Sequence, residues 1–331
     1  ELEEFQLRYS YVIGLAAGLF VLLVAGFAAA SDDGGSVPVY TVADTTGDWG
    51  FPSPYAHYSR GPGYTRMSFL FDTLVWKNDT DYVPALADSW EMEGDDVYIF
   101  HLRDGVTWHD GEPFTADDVV FTVDYTKDHP YQWVDSSIIE SAEALDDLTV
   151  KVTLSAPYAP FLDQVGGTLP ILPEHIWADV DDPVNYREGD ALVGTGPYTL
   201  AVDDYDMVQG TYRYVAYEDY YLGSPMVSEL IFVKISAPNA AAELLQGNVD
   251  TAPIEPEMIE ELEGDFEILE VPAHWWNYKM MINHQKEPMS DARFRQALAY
   301  AIDRDELVDI AARGYGLAGS PGFVPPDNEW Y

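Results

Sequence analysis

The chain has 331 residues, among them seven histidines, 58 Asp+Glu and 16 Lys+Arg, and these are the groups that could do chemistry. Their spacing assembles no familiar reaction centre. No G-x-S-x-G elbow, H-E-x-x-H helix or G-x-x-x-x-G-K-[ST] phosphate loop occurs in the sequence. His101 and His109 are eight apart on either side of a turn, a weak pattern for a metal site. Asp203-Asp204-Tyr205-Asp206 resembles the start of a calcium loop but lacks the glycine and the distal glutamate. Carboxylate pairs could form a glycosidase dyad, yet in a chain this acidic any pair arises by chance. Cysteine is absent, which excludes disulfides, Cys-ligated zinc, iron–sulfur clusters and a thiol nucleophile. No catalytic residue, metal or cofactor is therefore assigned.

What remains is contact chemistry. The chain carries 23 Tyr and 9 Trp, side chains that bury large areas while keeping a polar tip for hydrogen bonding. The formal charge of −42 repels phosphate backbones and excludes nucleic acid as a partner. The acidity fits two roles, a binder of cations or a hydrated surface suited to high salt. The acids are spread along the whole chain and there are only six lysines, which favours the surface role. At 47% hydrophobic, the chain can bury a large core, and its length predicts about two domains.

One segment departs from this composition. Residues 11–30, YVIGLAAGLFVLLVAGFAAA, hold no charge and as a helix would span roughly 30 Å, a bilayer core. Arg8 precedes the run and Asp32-Asp33 follow it, which predicts the rest of the chain outside the membrane. The segment is expected to be either a retained anchor or an export signal cleaved near Ala30, followed by a polar tether up to Ser36. Leu23-Val24-Ala25-Gly26 resembles a lipoprotein signal, but Phe27 stands where the lipidated cysteine would be.

Strands and helices are mixed along the remainder, which predicts an α/β or α+β architecture. Val97–Leu102 reads as a strand ending at an Asp104-Gly105 turn. Thr115 to Asp118 fits a capping box at the start of a helix bearing Val119, Val120 and Val123. Val150, Val152 and Leu154 alternate with polar residues as a half-buried strand. Asn239–Gln246 reads as a short helix closed by Gly247. Phe294, Ala297, Leu298, Ala301 and Ile302 make the clearest amphipathic helix, capped by Ser290 or Asp291, and Asp303 starts another.

Several ordered blocks carry a resemblance. Pro84 to Trp90, Tyr98 to Trp108 and Gly111 to Val119 are followed by Val193-Gly-Thr-Gly-Pro-Tyr198, Tyr220 to Met226, Leu245 to Asp250 and Phe294 to Arg304. Over about residues 37–328 the chain resembles the family 5 solute-binding proteins, the extracellular receptors of peptide and nickel ABC importers. The resemblance implies an α/β, two-lobed fold like that of type II periplasmic binding proteins, with an extra subdomain in the first lobe. On that basis 1–36 is signal or anchor plus tether, and 37–270 the first lobe with an inserted subdomain at about 65–189. Residues 271–331 are then expected to be the start of a truncated second lobe. Arg103-Asp104-Gly105 is expected to be a turn with a local charge pair. Gly194 and Gly196 are expected to supply unusual backbone angles.

The resemblance also implies contact residues. The loop after the first strand would face the ligand, which brings in Arg60, Tyr64 and Arg66, the arginines as holders of a ligand carboxylate. Surface arginines answering nearby acids are the alternative. Trp133 falls near a tryptophan that chelate-binding relatives place in the cleft; ordinary packing is the alternative. Trp276 and Tyr278 are expected to face one way where the chain crosses into the second lobe. The segment Thr168 to Glu174 holds no arginine, which weakens a nickel role. The implied function is a non-catalytic receptor, monomeric, on the outer face of the membrane, passing an oligopeptide or other small solute to a permease and its ATPase. A nickel or metal-chelate receptor of the same family is the alternative, and from another class an exported carbohydrate-active hydrolase.

Overall fold

In a computed structural model, residues 38–59, 61–78, 81–269 and 280–319 are described. The chain divides into a compact unit ending at Pro253 and another beginning at Ile254. Residues 11–30 lie outside the described residues; among those described, no helix is long and apolar enough to cross a membrane.

The first unit contains β1 (Tyr40–Asp44), α1 (Gly61–Met67), β2 (Val75–Lys77), β3 (Tyr82–Pro84), β4 (Ala87–Glu93), β5 (Val97–Leu102), α2 (Ala116–Asp128), β6 (Ile139–Asp146) and β7 (Thr149–Leu154). It continues through α3 (Glu174–Trp177), β8 (Tyr198–Thr199), β9 (Tyr205–Asp206), β10 (Thr211–Ala216), β11 (Glu229–Lys234) and α4 (Ala237–Leu245). Two larger sheets organise these elements. One is antiparallel in the order β4-β5-β7-β6. The other runs β1-β11-β10-β8, with β9 also on β10; β1 pairs parallel with β11 and the remaining pairs are antiparallel.

Period-two patterning explains the first sheet. On β7, Val150, Val152 and Leu154 are buried while Thr149, Lys151 and Thr153 are only half-buried. They join Tyr98 and Phe100 of β5 in a core that runs from Leu74 to Ile171. The second core surrounds the other sheet and holds Phe69, Phe71, Trp177, Tyr212, Tyr214 and Phe232. Helix α2 serves both cores: Val119 and Val123 pack into the first, Tyr125 into the second. Its start is fixed by Asp118, whose carboxylate accepts from the Thr115 amide at 2.9 Å, the capping-box return bond. The same carboxylate accepts from the Glu174 amide at 3.0 Å, so one side chain ties α2 to α3.

Two local expectations need correction. Gly194 and Gly196 do not adopt positive φ; the positive-φ glycines include Gly105 and Gly247 instead. A Cβ on Gly194 would lie 1.9 Å from the Leu70 carbonyl oxygen, and one on Gly196 would lie 2.6 Å from the Leu70 carbonyl carbon. Close backbone approach, not an unusual angle, excludes side chains there. Arg103 does not pair within its own turn. Its guanidinium lies 3.3 Å from Asp88, and its Nε donates to the Ala85 carbonyl at 3.1 Å.

The second unit contains α5 (Ile259–Leu262), α6 (Ala292–Ala301) and α7 (Arg304–Ala311). Asp291 caps α6 by accepting from the Arg293 amide at 2.9 Å, and Asp303 caps α7 by accepting from the Glu306 amide at 3.0 Å. Arg313 pairs with Glu257. The amphipathic pattern produces the helices, yet no residue of α6 or α7 is buried. Phe294, Tyr300, Leu307 and Ile310 are exposed.

Candidate ligand-binding site

The loop leaving β1 is held on both sides. Asp44, at the end of β1, accepts from the Thr46 amide at 2.8 Å and from an Arg66 guanidinium nitrogen at 2.6 Å. The Tyr212 hydroxyl accepts from the Trp49 amide at 2.8 Å and donates to the Gly50 carbonyl at 2.9 Å. The Tyr58 amide donates to the Trp49 carbonyl at 2.8 Å, so the chain doubles back and brings His57 beside Gly50. A Cβ on Gly63 would lie 2.3 Å from the Tyr58 carbonyl oxygen, so only glycine lets α1 start against this loop.

Helix α1 is where the sequence placed a ligand-facing loop. Residues two apart on a helix are about 200° apart around its axis, so Tyr64 and Arg66 serve different surroundings. Arg66 is buried with Asp44, their side chains 7% and 6% exposed, and its guanidinium carbon lies 3.5 Å from the Phe232 ring centroid. The ion pair joins α1 to β1, and the guanidinium engages a carboxylate of this chain rather than standing open. Tyr64 packs instead against His57 and Trp133 and donates its hydroxyl to the Thr168 carbonyl at 3.1 Å.

Trp133 follows α2 in a short turn whose neighbours Tyr131 and Val134 are buried. Trp133 itself is 37% exposed. Its ring centroid lies 5.5 Å from those of His57 and Tyr64 and 6.4 Å from that of Tyr131. Three buried rings thus back one open ring. Burial pushes the Tyr64 and Tyr131 phenols upward in pKa, so both stay neutral. His57 is buried and its pKa is lowered by desolvation, with a bond to the Tyr58 carbonyl opposing. Its Nδ1 lies 2.9 Å from that carbonyl; its Nε2 lies 3.2 Å from the Tyr131 hydroxyl and 3.0 Å from the Gln132 amide nitrogen.

Such an arrangement offers an apolar, polarisable face to a ligand side chain or planar group. It holds no nucleophile with an open base, because the His57 ring nitrogens are already partnered. Elsewhere, an open depression of about 300 Å³ is lined by His109, Asp110, Leu192 and Leu200. There too the imidazole is engaged: His109 Nε2 meets the Gly196 carbonyl at 2.9 Å, and its Nδ1 accepts from the Gly194 amide at 3.1 Å. Among the described residues, no group of three or more His, Asp or Glu could hold a metal ion.

Of the residues singled out from sequence, the structure brings Tyr64 and Trp133 together and sends Arg66 to β1. Arg60, Trp276 and Tyr278 lie outside the described residues. His57, Tyr131 and Gln132 were missed. The signal available was a histidine among aromatics, Tyr55-Ala-His57-Tyr58, but its meeting with residues 131–133 needs the tertiary fold.

Comparison with known proteins places these observations. The family of bacterial extracellular solute-binding proteins, family 5, middle, matches residues 81–331. The dipeptide-binding protein of Escherichia coli is 30% identical over 299 residues, covering 81% of this chain and 55% of that protein. Heme-binding protein A of Haemophilus influenzae is 30% identical over 278 residues, covering 75% of this chain and 50% of that one. The chain therefore spans about half the length of these curated relatives. Among solved structures, the substrate-binding protein CtaP of Listeria monocytogenes aligns with a TM-score of 0.74 at 27% identity, covering 89% of this chain and 61% of that chain. NikZ of Campylobacter jejuni, solved with Ni(L-His), aligns at 0.67 and 28%, covering 86% and 57%. DppA of Helicobacter pylori, solved with the peptide STSA, aligns at 0.71 and 26%, covering 90% and 62%.

Proposed function

The chain belongs to the family 5 bacterial extracellular solute-binding proteins, and on that premise we propose that it is the substrate-binding component of an ABC importer, binding peptides outside the cell and delivering them without chemistry. The observation that carries the receptor role is the half-open Trp133 backed by Tyr64, His57 and Tyr131. A contact ring held by buried rings stacks on a ligand side chain at little entropic cost. Relatives named for dipeptide binding, and a neighbour solved with a peptide, support peptides as the ligand class.

Trp133 is proposed as a ligand contact and Tyr64 as the buried ring that supports it, with Arg66 bracing α1 through Asp44. Arg60, Trp276 and Tyr278 extend the proposed contact set on the strength of their sequence positions. The proposed partners are a permease and its ATPase, reached by a monomeric receptor held at the outer face of the membrane through residues 11–30, or released after cleavage near Ala30. The acidic surface is proposed to suit a salty exterior.

A metal-chelate ligand is the second role, favoured by the structural similarity to NikZ. Calorimetric titration separates the two. Dipeptides should give saturable heat and Ni(L-His) none; the reverse would move the assignment to chelates. Saturable binding of neither would overturn the receptor role for this chain, and hydrolysis of a peptide or glycan by pure protein would replace it with an enzyme.

A further inference from the structure

The hydrogen bonds around His57 fix more than its position. A carbonyl cannot donate, so the 2.9 Å contact with Tyr58 requires the proton on Nδ1. Nε2 is then free to accept from the Tyr131 hydroxyl at 3.2 Å, while the Gln132 amide nitrogen, 3.0 Å from Nε2 and 3.4 Å from Nδ1, sits over the ring face. Both groups immediately precede Trp133 in sequence, and the Trp133 ring lies 5.5 Å from the imidazole. Protonation of Nε2 would force the Tyr131 hydroxyl to turn and would put a cation beneath the Gln132 amide in a buried site with no described counter-charge, so residues 131–133 would have to move.

We propose that His57 is a positioning residue for Trp133: as a neutral imidazole it holds residues 131–133 in the ligand-ready arrangement, and when protonated it releases them, so that the site loosens at acid pH. This deepens the receptor role proposed above and rests on it only for the consequence for ligand. The titratable groups packed on His57 are the phenols of Tyr64, from α1, and Tyr131, from the turn after α2; His57's own segment adds the Tyr58 carbonyl. No described carboxylate or cation contributes to its titration, since burial and that carbonyl are its causes. Burial favours the neutral ring, which places the release on the acid side of an ordinary histidine.

The test needs no ligand. The difference in tryptophan fluorescence between the full chain and its Trp133→Phe variant isolates Trp133 and is followed from pH 8 to pH 4, with far-UV circular dichroism recorded alongside. The expected result is a one-proton transition below pH 6.5 with unchanged circular dichroism. His57→Asn keeps a donor for the Tyr58 carbonyl but cannot titrate, and should abolish the transition. Gln132→Glu sets a carboxylate against the ring and should move the midpoint to higher pH. A transition that persists in His57→Asn, one that coincides with unfolding, or none at all would overturn the proposal. Titration with the dipeptide Met-Leu then reads the consequence: affinity should fall about tenfold across the same transition in the native chain and stay flat in His57→Asn. Loss of Met-Leu binding at every pH with the fluorescence transition intact would count against the receptor role and leave the His57 assignment standing.

Discussion

Trp133 and Arg66 show how far a residue type alone reaches. Both were brought forward by the family resemblance, yet one stands half open on a stack of rings and the other is buried against a carboxylate. Trp133→Ala should weaken dipeptide binding by roughly 1–3 kcal/mol in calorimetry, with little change in thermal midpoint; unchanged affinity with lowered stability would make it a packing residue. Arg66→Met should cost about 3–5 kcal/mol in urea unfolding, because it strands the buried Asp44 carboxylate. Adding Asp44→Asn should recover part of that loss, and strictly additive losses would mean that the pair is not coupled. Asp72 gives a pH test. It is buried, with the Tyr221 and Tyr220 hydroxyls donating to it at 2.9 Å and 3.3 Å, and burial pushes its pKa up to about 7 despite those bonds. The folded chain therefore holds a proton that the unfolded chain releases near pH 4. This contribution to stability is fully present below about pH 4 and is lost as pH rises towards 7. Asp72→Asn should flatten that part of the stability–pH curve in chemical unfolding.

At the scale of elements, periodicity was the reliable guide. Strands β5 and β7, helix α2 with its Thr115–Asp118 box, and the Asp291 and Asp303 caps were all readable, because each depends on residues within one turn or one strand. Helix α1 was not. Gly61-Pro-Gly63 argues for a loop by local propensity, and only packing against the Tyr58 carbonyl and the Asp44–Arg66 pair makes it helical. That change of element separates Tyr64 from Arg66. Gly194 was noticed for the wrong reason, since its demand comes from the backbone of residue 70, far away in sequence. Gly194→Ala should disrupt the seam where the Gly196 amide meets the Leu70 carbonyl at 2.8 Å, lowering the thermal midpoint sharply. A midpoint within a degree or two of the native chain would show that the segments can part without cost.

For the whole molecule, charge is the feature a solution experiment reads directly. A net charge of −42 favours expansion through self-repulsion, and salt screens it with a Debye length of about 3 Å at 1 M against 30 Å at 0.01 M. The thermal midpoint should climb steeply between those salt concentrations; a flat profile would remove the case for a surface adapted to salt. A bound ligand should stabilise the fold in turn, by about 2.7 kcal/mol at a hundredfold excess over Kd.

The sequence by itself determined the family and the mixed α/β content, because ordered family blocks and alternating strand and helix patterns are properties of the chain as a string. It also determined the regular elements whose signals are local. Only the tertiary structure decided which side chains meet. His57, Tyr64 and Trp133 converge from segments as much as 76 positions apart, and Arg66 turns away to Asp44. No local pattern records such meetings, because they are set by the packing of α1 and α2 about two cores, and packing is a property of the folded whole.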